Sequence, residues 1–167
     1  IFLLLRNLCH VDFTHYKSNT IRRRIDRRMV LHRTKDQNTY AKLLARKPEE
    51  VKALYADLLI NVTSFFRDPE AFEALKEKVF PKLLQGRAPG APIRVWSVGC
   101  STGEEAYSIA ISLLEFLGEK ISETPIQIFG SDISEQAIQK ARLGEYPETI
   151  VKDVSRERLN RYFTKME

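Results

Sequence analysis

Two six-residue runs, IRVWSV at 93–98 and IQIFGS at 126–131, restrict the fold of this 167-residue chain more than anything else in it. Both are short, apolar and supplied with Ile, Val, Trp or Phe, which suits buried strands better than helices. Between them, residues 103–117 repeat apolar side chains at helical spacing and stop at Gly118. Strand, helix, strand predicts a right-handed βαβ unit with parallel strands, since parallel neighbours require a crossover of this kind. Residues 134–143, stopped by Gly144, predict another helix, and a last polar one is expected from about 155 to 163.

The front of the chain carries a different pattern. Residues 18–33 read as a basic helix with Ile21, Ile25 and Met29 at spacing four, 36–46 as a second helix and 48–59 as a third. Residues 69–85 continue the series, with Phe72, Leu75, Val79, Phe80 and Leu83 along one side; Pro81 should kink or end that helix early. RAPGAP at 87–92 is a Pro/Gly linker. The expected fold class is therefore α/β: an all-helical domain over 1–86, a linker over 87–92, and over 93–167 the first half of a doubly wound, Rossmann-like sheet.

Other features narrow the setting. No apolar run approaches the roughly 20 residues that span a bilayer, and IFLLL lacks a basic leader, so no membrane insertion is expected. A start at Ile within an apolar helical pattern suggests an excised or incomplete stretch. Cys9 and Cys100 lie far apart without metal-ligand spacing, which predicts reduced thiols and a cytoplasmic protein. His10, His15 and His32 have no plausible partners, and no metal is implied.

Charge is uneven: residues 1–47 hold twelve Lys and Arg against Asp12, Asp26 and Asp36, a net +9 that leaves −4 for the remainder. Such asymmetry points to an anionic partner for the helical front. Arg23, Arg24 and Arg27 point away from the Ile21 and Ile25 stripe, and Arg22, Arg28 and Arg33 flank it. Nucleic acid fits the charge, but no aromatics are interleaved to stack bases, so it is not favoured.

Chemistry is expected where the strands end, because ligands of open parallel sheets bind outside their carboxyl ends. The loop there is VGCSTGEEAYS. Gly99 and Gly103 would let backbone approach a ligand closely, yet neither GxGxxG nor GxxxxGK[ST] is present. Glu104 and Glu105 in the first helical turn oppose a pyrophosphate and favour a neutral or cationic ligand. Asp132 ends the second strand, where an acid bonds the two hydroxyls of a ribose; its other reading is a cap for the helix at Ser134. Cys100, beside these acids and without a base, reads as packing. A ribose, no pyrophosphate and a positive charge describe S-adenosylmethionine.

One short segment remains. In NVTSFFRDPEAF, Asp68-Pro69 supplies a helix start, with Asp accepting first-turn N–H groups, but nothing in a turn requires Phe65, Phe66 or Arg67. Without further context the rings would be core and Arg67 solvated. Taken with RVWSVGCSTGEEAYSIA, FGSDIS and KARLGEY, however, the segment resembles the CheR-type chemotaxis receptor methyltransferases, over essentially the whole chain.

That resemblance implies methyl-ester formation on receptor glutamates, with S-adenosylmethionine as donor and S-adenosylhomocysteine as product. It implies that Asn61, Thr63 and Arg67 close over the cofactor, with Arg67 also at the reaction centre, that Asp132 meets the ribose, and that Glu105 lies nearer the methionine end. It further implies that the basic helix, through Arg23, Arg24, Arg27 and Arg28, meets the acidic helices of chemoreceptor cytoplasmic domains. The family's sheet needs more strands than the two found here, so half of a catalytic domain is expected, either a fragment or a partner-dependent form. Open sheet edges would then invite self-association. Two alternatives are a receptor-docking module without activity and a nucleic-acid methyltransferase.

Overall fold

A computed structural model describes residues 1–59, 62–88 and 90–166. Two compact units divide the chain, Ile1–Ile60 and Asn61–Glu167. The first holds α1 (Phe2–Cys9), α2 (Ser18–Leu31), α3 (Gln37–Arg46) and α4 (Pro48–Leu58). Ile21 and Ile25 are buried and Met29 packs beside them, so the expected stripe faces a core that includes Leu5, Phe13, Tyr40, Leu44 and Leu54. Asp36 starts α3 by accepting the Thr39 N–H at 2.8 Å, and Pro48 fills the first turn of α4, where a missing N–H costs nothing.

This core also contains charge. Glu50 on α4 is 4% exposed and accepts Arg28 Nε at 2.9 Å, the Arg28 Nη2 fork and the Tyr40 hydroxyl at 2.7 Å. His32 Nε2 lies 2.6 Å from the same carboxylate, and Arg28 Nη1 is 3.5 Å from Asp57. Burial alone would raise the Glu50 pKa, but hydrogen bonds from Arg28, Tyr40 and His32 outweigh it and hold the carboxyl at about 2. His32, expected without a partner, therefore has one. The partner sits 18 residues away, beyond the reach of local pattern.

The second unit begins with α5 (Pro69–Ala74), a π-helical turn (Leu75–Val79) and α6 (Phe80–Leu84). Pro81 does not end this helix. It has no N–H to give, and the widened turn before it, closed by Phe80 N–H to the Leu75 carbonyl, accommodates the proline. Then come β1 (Ile93–Val98), α7 (Glu104–Leu117), β2 (Ile126–Ser131), α8 (Glu135–Leu143) and α9 (Arg156–Tyr162). The strands are parallel, with Ile93 opposite Ile126 and Val98 opposite Ser131. An N-terminal helical domain followed by a short parallel sheet with its helices is the partial Rossmann-like arrangement expected.

The boundary is not where the linker suggested. The 69–84 helix belongs to the second unit, because Phe80 packs with Ile93, Leu113 and Leu117, and Phe72 with Phe66 and Ile111. RAPGAP therefore joins parts of one unit, and the division at 60/61 replaces the expected end at 86. Alternation along β1 buries Ile93 and Ser97 and leaves Trp96 and Val98 each 67% exposed, beside Phe129 at 55%. Parallel sheets are ordinarily covered on both faces. Here α7 covers one face, and among the described residues the other stays open.

Candidate functional site

The carboxyl ends of β1 and β2 are laced together by backbone. Gly99 and Cys100 N–H groups both donate to the Ser131 carbonyl, at 2.7 and 3.0 Å. Asp132 completes the lacing: Oδ2 accepts the Ser101 N–H at 2.9 Å and Oδ1 the Ser134 N–H at 2.8 Å. Ser134, rather than Asp132, caps α8 through Ala137 N–H. Each carboxylate oxygen thus takes one amide, and since a carboxylate offers about four acceptor positions, one per oxygen remains.

The two glycines of the loop differ. Gly99 has φ +70°, and a Cβ there would meet nothing within 4 Å, which fits a backbone left clear for a ligand. Gly103, at φ +98°, is required by the protein itself, since a Cβ would come within 2.9 Å of Ala141 Cβ and the Tyr146 hydroxyl. Its N–H is already given to the Cys100 carbonyl at 2.9 Å. Of the two glycines expected to admit a ligand, Gly99 has open space beside it and the space at Gly103 is filled by the protein's own side chains. Tyr146 donates to the Thr102 carbonyl at 2.7 Å, so KARLGEY pins the loop after β1.

The first turn of α7 carries its two acids in different states. Glu104 is folded back onto the Thr102 hydroxyl, at 2.6 Å to Oε2. Glu105 accepts the buried Ser97 hydroxyl at 2.7 Å, which fixes it beneath the end of β1. Cys100 is buried, and burial followed by Asp132 pushes its thiol pKa up, so it is a packing residue. A cavity of 310 Å³ lies between α7, α8 and β2, lined by Cys100, Tyr107, Ile128 and Ile138 among others. It is largely apolar and does not include Glu105 or Asp132.

The segment 62–68 lies in the same unit as these acids. Phe65 and Phe66 are buried, as the packing reading of the rings expected, while Arg67 is exposed and donates Nη1 to the Val62 carbonyl at 2.9 Å. Phe66 and Asp68, on either side of it, have φ of +50° and +57°. For residues with a Cβ this left-handed conformation is costly and concentrates at functional sites. Asp68 was expected to cap α5 with its side chain; in this conformation it makes no such bond, and only its carbonyl receives the Ala71 N–H. Thr63 is half-buried, and Asn61 falls outside the described residues.

Phe66 N–H donates at 2.9 Å to the Ser108 hydroxyl, which gives its own proton to the Glu104 carbonyl at 2.6 Å. This fully buried serine ties the Arg67 segment to the helix turn that carries Glu104 and Glu105. Sequence reading missed Ser108 because a mid-helix serine has no local signature for a partner 42 residues distant.

On the helical unit the four arginines separate. Arg23 and Arg27 are exposed, beside Arg22 and Asp26. Arg24 is half-buried, and its Nε has no hydrogen-bond partner among the described residues. Arg28, expected on the docking face, is engaged by Glu50 and Asp57 and is structural. Among the described residues no group of three or more His, Cys, Asp and Glu is placed to hold a metal, and no helix is long and apolar enough to cross a membrane.

Comparison with known proteins matches residues 1–59 to the all-alpha domain of CheR methyltransferases and residues 61–167 to their SAM-binding domain. An uncharacterized 104.1 kDa protein of Rhodobacter capsulatus is 41% identical over 155 residues, covering 92% of this chain and 16% of that protein. Chemotaxis protein methyltransferase 2 of Vibrio cholerae is 40% identical over 116 residues, 70% of this chain and 40% of the relative. Its Pseudomonas aeruginosa namesake is 36% identical over 143 residues, 86% of this chain and 49% of the relative. The chain thus spans less than half the length of each of these relatives.

Proposed function

The chain belongs to the CheR methyltransferase family, whose SAM-binding domain it carries, and from that premise we propose that it serves methyl transfer to glutamate side chains of chemotaxis receptors. The observation that carries this reading is Asp132, fixed by two backbone amides at the strand ends with one acceptor position left on each oxygen. A ribose presents two adjacent hydroxyls, and that spare capacity matches them. Gly99 leaves the neighbouring backbone clear, and the acids at the start of α7 suit a sulfonium rather than a pyrophosphate.

Held there by Asp132 and Glu105, S-adenosylmethionine would supply an activated methyl to a glutamate oxygen, with S-adenosylhomocysteine as the leaving group and a methyl ester as product. A glutamate carboxylate is ionised at neutral pH, so the protein needs no general base. Its task is positioning. Arg67, flanked by two left-handed residues, would present its fork to carboxylates, that of the cofactor's methionine end and that of the acceptor, and Asn61 and Thr63 are assigned the role of closing over the cofactor. Glu105, oriented by the Ser97 hydroxyl, would hold the cofactor's methionine end. Arg23 and Arg27, with Arg24 behind them, would receive the acidic helices of a chemoreceptor cytoplasmic domain, a role that calls for a cytoplasmic protein. The open edges of the two-stranded sheet offer a route to self-association.

Calorimetric titration with S-adenosylhomocysteine tests the site. Asp132→Ala removes the acceptor of two charge-assisted bonds worth roughly 1.5 to 3 kcal/mol each, so affinity should fall more than about tenfold. Unchanged affinity in that variant would sink the ribose assignment.

A further inference from the structure

Arg67 owes its place to Phe66, and Phe66 is held in an unfavourable backbone conformation. A bulky residue keeps φ of +50° only where the surroundings over-determine it. Three contacts do so. Ser108 takes the amide, Phe72 packs against the ring at 5.4 Å and 68°, and the guanidinium of Arg158 lies over the ring face, 3.9 Å from its centre.

The third contact stands out because Arg158 is itself immobilised. Nε and Nη2 reach Glu115 of α7 as a fork, at 2.7 and 2.8 Å, and Lys76 Nζ meets the same carboxylate at 3.1 Å. The fork holds the guanidinium plane, and a plane of fixed orientation can press on an aromatic face as a flexible ammonium cannot. The chain of contact therefore runs from Glu115 through Arg158 and the Phe66 ring to the backbone that carries Arg67. Arg158 stands on α9, 92 positions beyond Phe66, yet it closes the same aromatic cluster as Phe163, whose ring meets Phe65 at 5.4 Å. An arginine serving stability alone would be satisfied by Glu115; stacking on a residue held at positive φ beside the exposed Arg67 is more than the ion pair requires.

We propose that Arg158, fixed by Glu115 and stacked on Phe66, is a positioning residue for Arg67, setting where that guanidinium meets the carboxylate of the adenosyl ligand. The inference rests on the proposed cofactor reading. Its role is indirect, because Arg158 acts through the Phe66 ring and backbone and touches no ligand.

A double-mutant cycle on S-adenosylhomocysteine affinity, measured with the whole chain, separates positioning from stability. Arg158→Met, which keeps the aliphatic stem, should weaken binding by about fivefold when Arg67 is present and leave it nearly unchanged in an Arg67→Ala background. Arg158→Lys keeps the charge toward Glu115 but loses the plane, and should retain only part of the affinity. Melting temperatures taken alongside identify variants that are merely unfolded. An equal loss in both Arg67 backgrounds, or full affinity in Arg158→Lys, would overturn the positioning role while leaving the cofactor site standing. Absence of binding by the unsubstituted chain would instead overturn the cofactor reading, and this inference with it.

Discussion

Glu50 in the helical unit and Asp132 in the α/β unit are both acids held by short hydrogen bonds, but the donors differ in kind and number. Glu50 receives Arg28 Nε and the Tyr40 hydroxyl on one oxygen, and Arg28 Nη2 and His32 on the other. Since an ionised carboxylate only accepts, His32 must carry its proton on Nε2. All four acceptor positions are then filled, every one by a side-chain donor. Asp132 receives two backbone amides and no more among the described residues. A saturated acid joins elements together and has nothing left for a ligand, whereas a half-filled one at the ends of two strands is aimed but unfinished. What separates the two is the count of occupied acceptor positions.

The contrast can be broken most easily at Glu50. Glu50→Ala strands the half-buried Arg28, and removal of one partner from a buried pair costs about 3 to 5 kcal/mol. The loss should appear in denaturant unfolding of the helical unit; a loss below about 1 kcal/mol would show the network to be decoration.

A milder challenge is acid. The folded Glu50 carboxyl sits at about 2, depressed from 4.5, so its contribution is complete above the unfolded value and disappears as pH falls through the interval from 4.5 toward 2. A depression of that size corresponds to something on the order of 3 kcal/mol. Stability measured across this interval should therefore fall in the parent chain and stay flatter in Glu50→Gln.

Asp132 should answer in the opposite currency. Asp132→Ala releases two amides that water can partly satisfy, which costs about 1 to 2 kcal/mol of stability, less than Glu50→Ala, while its main effect falls on S-adenosylhomocysteine affinity. If stability suffered more at Asp132 than at Glu50, the distinction between joining and binding acids would fail. The smallest change is expected at the exposed arginines. Charge reversal at Arg23 and Arg27 should leave the melting temperature unmoved and slow association with an acidic helical peptide by roughly threefold at low salt. Stopped-flow rates that neither fall nor lose salt dependence would make that face plain solvated surface.

What could be read from sequence follows the range of the physics. The Ile21, Ile25 and Met29 stripe, the helix over 36–46 and the two strands are local patterns, and the structure reproduces them nearly residue for residue. Gly99 and Asp132 could be picked out because the chemistry of a strand end is tied to a topology that local pattern reveals. Glu50 could not. In the first turn of α4 it looks like an ordinary dipole partner, and its donors lie 10 to 22 residues away. Arg28 was misread for the same reason, since helical phase alone could not show that an acid waits on its side of α2. The boundary at 60/61 was hidden because RAPGAP carries the stronger composition signal, while membership of the second unit is decided by Phe72 and Phe80 meeting distant partners.

The open face of the sheet has a practical consequence. Trp96 is the chain's one tryptophan, and its indole lies mostly in water, donating Nε1–H to Ser131 at 2.9 Å on the strand end that leads to Asp132. Its fluorescence should thus resemble that of a hydrated indole, red in emission and open to collisional quenchers. Anything that settles over Val98 and Phe129, whether added chain, a partner or a second copy, must also cover this ring and move its emission to the blue. The molecule carries its own optical gauge of whether that face is wet.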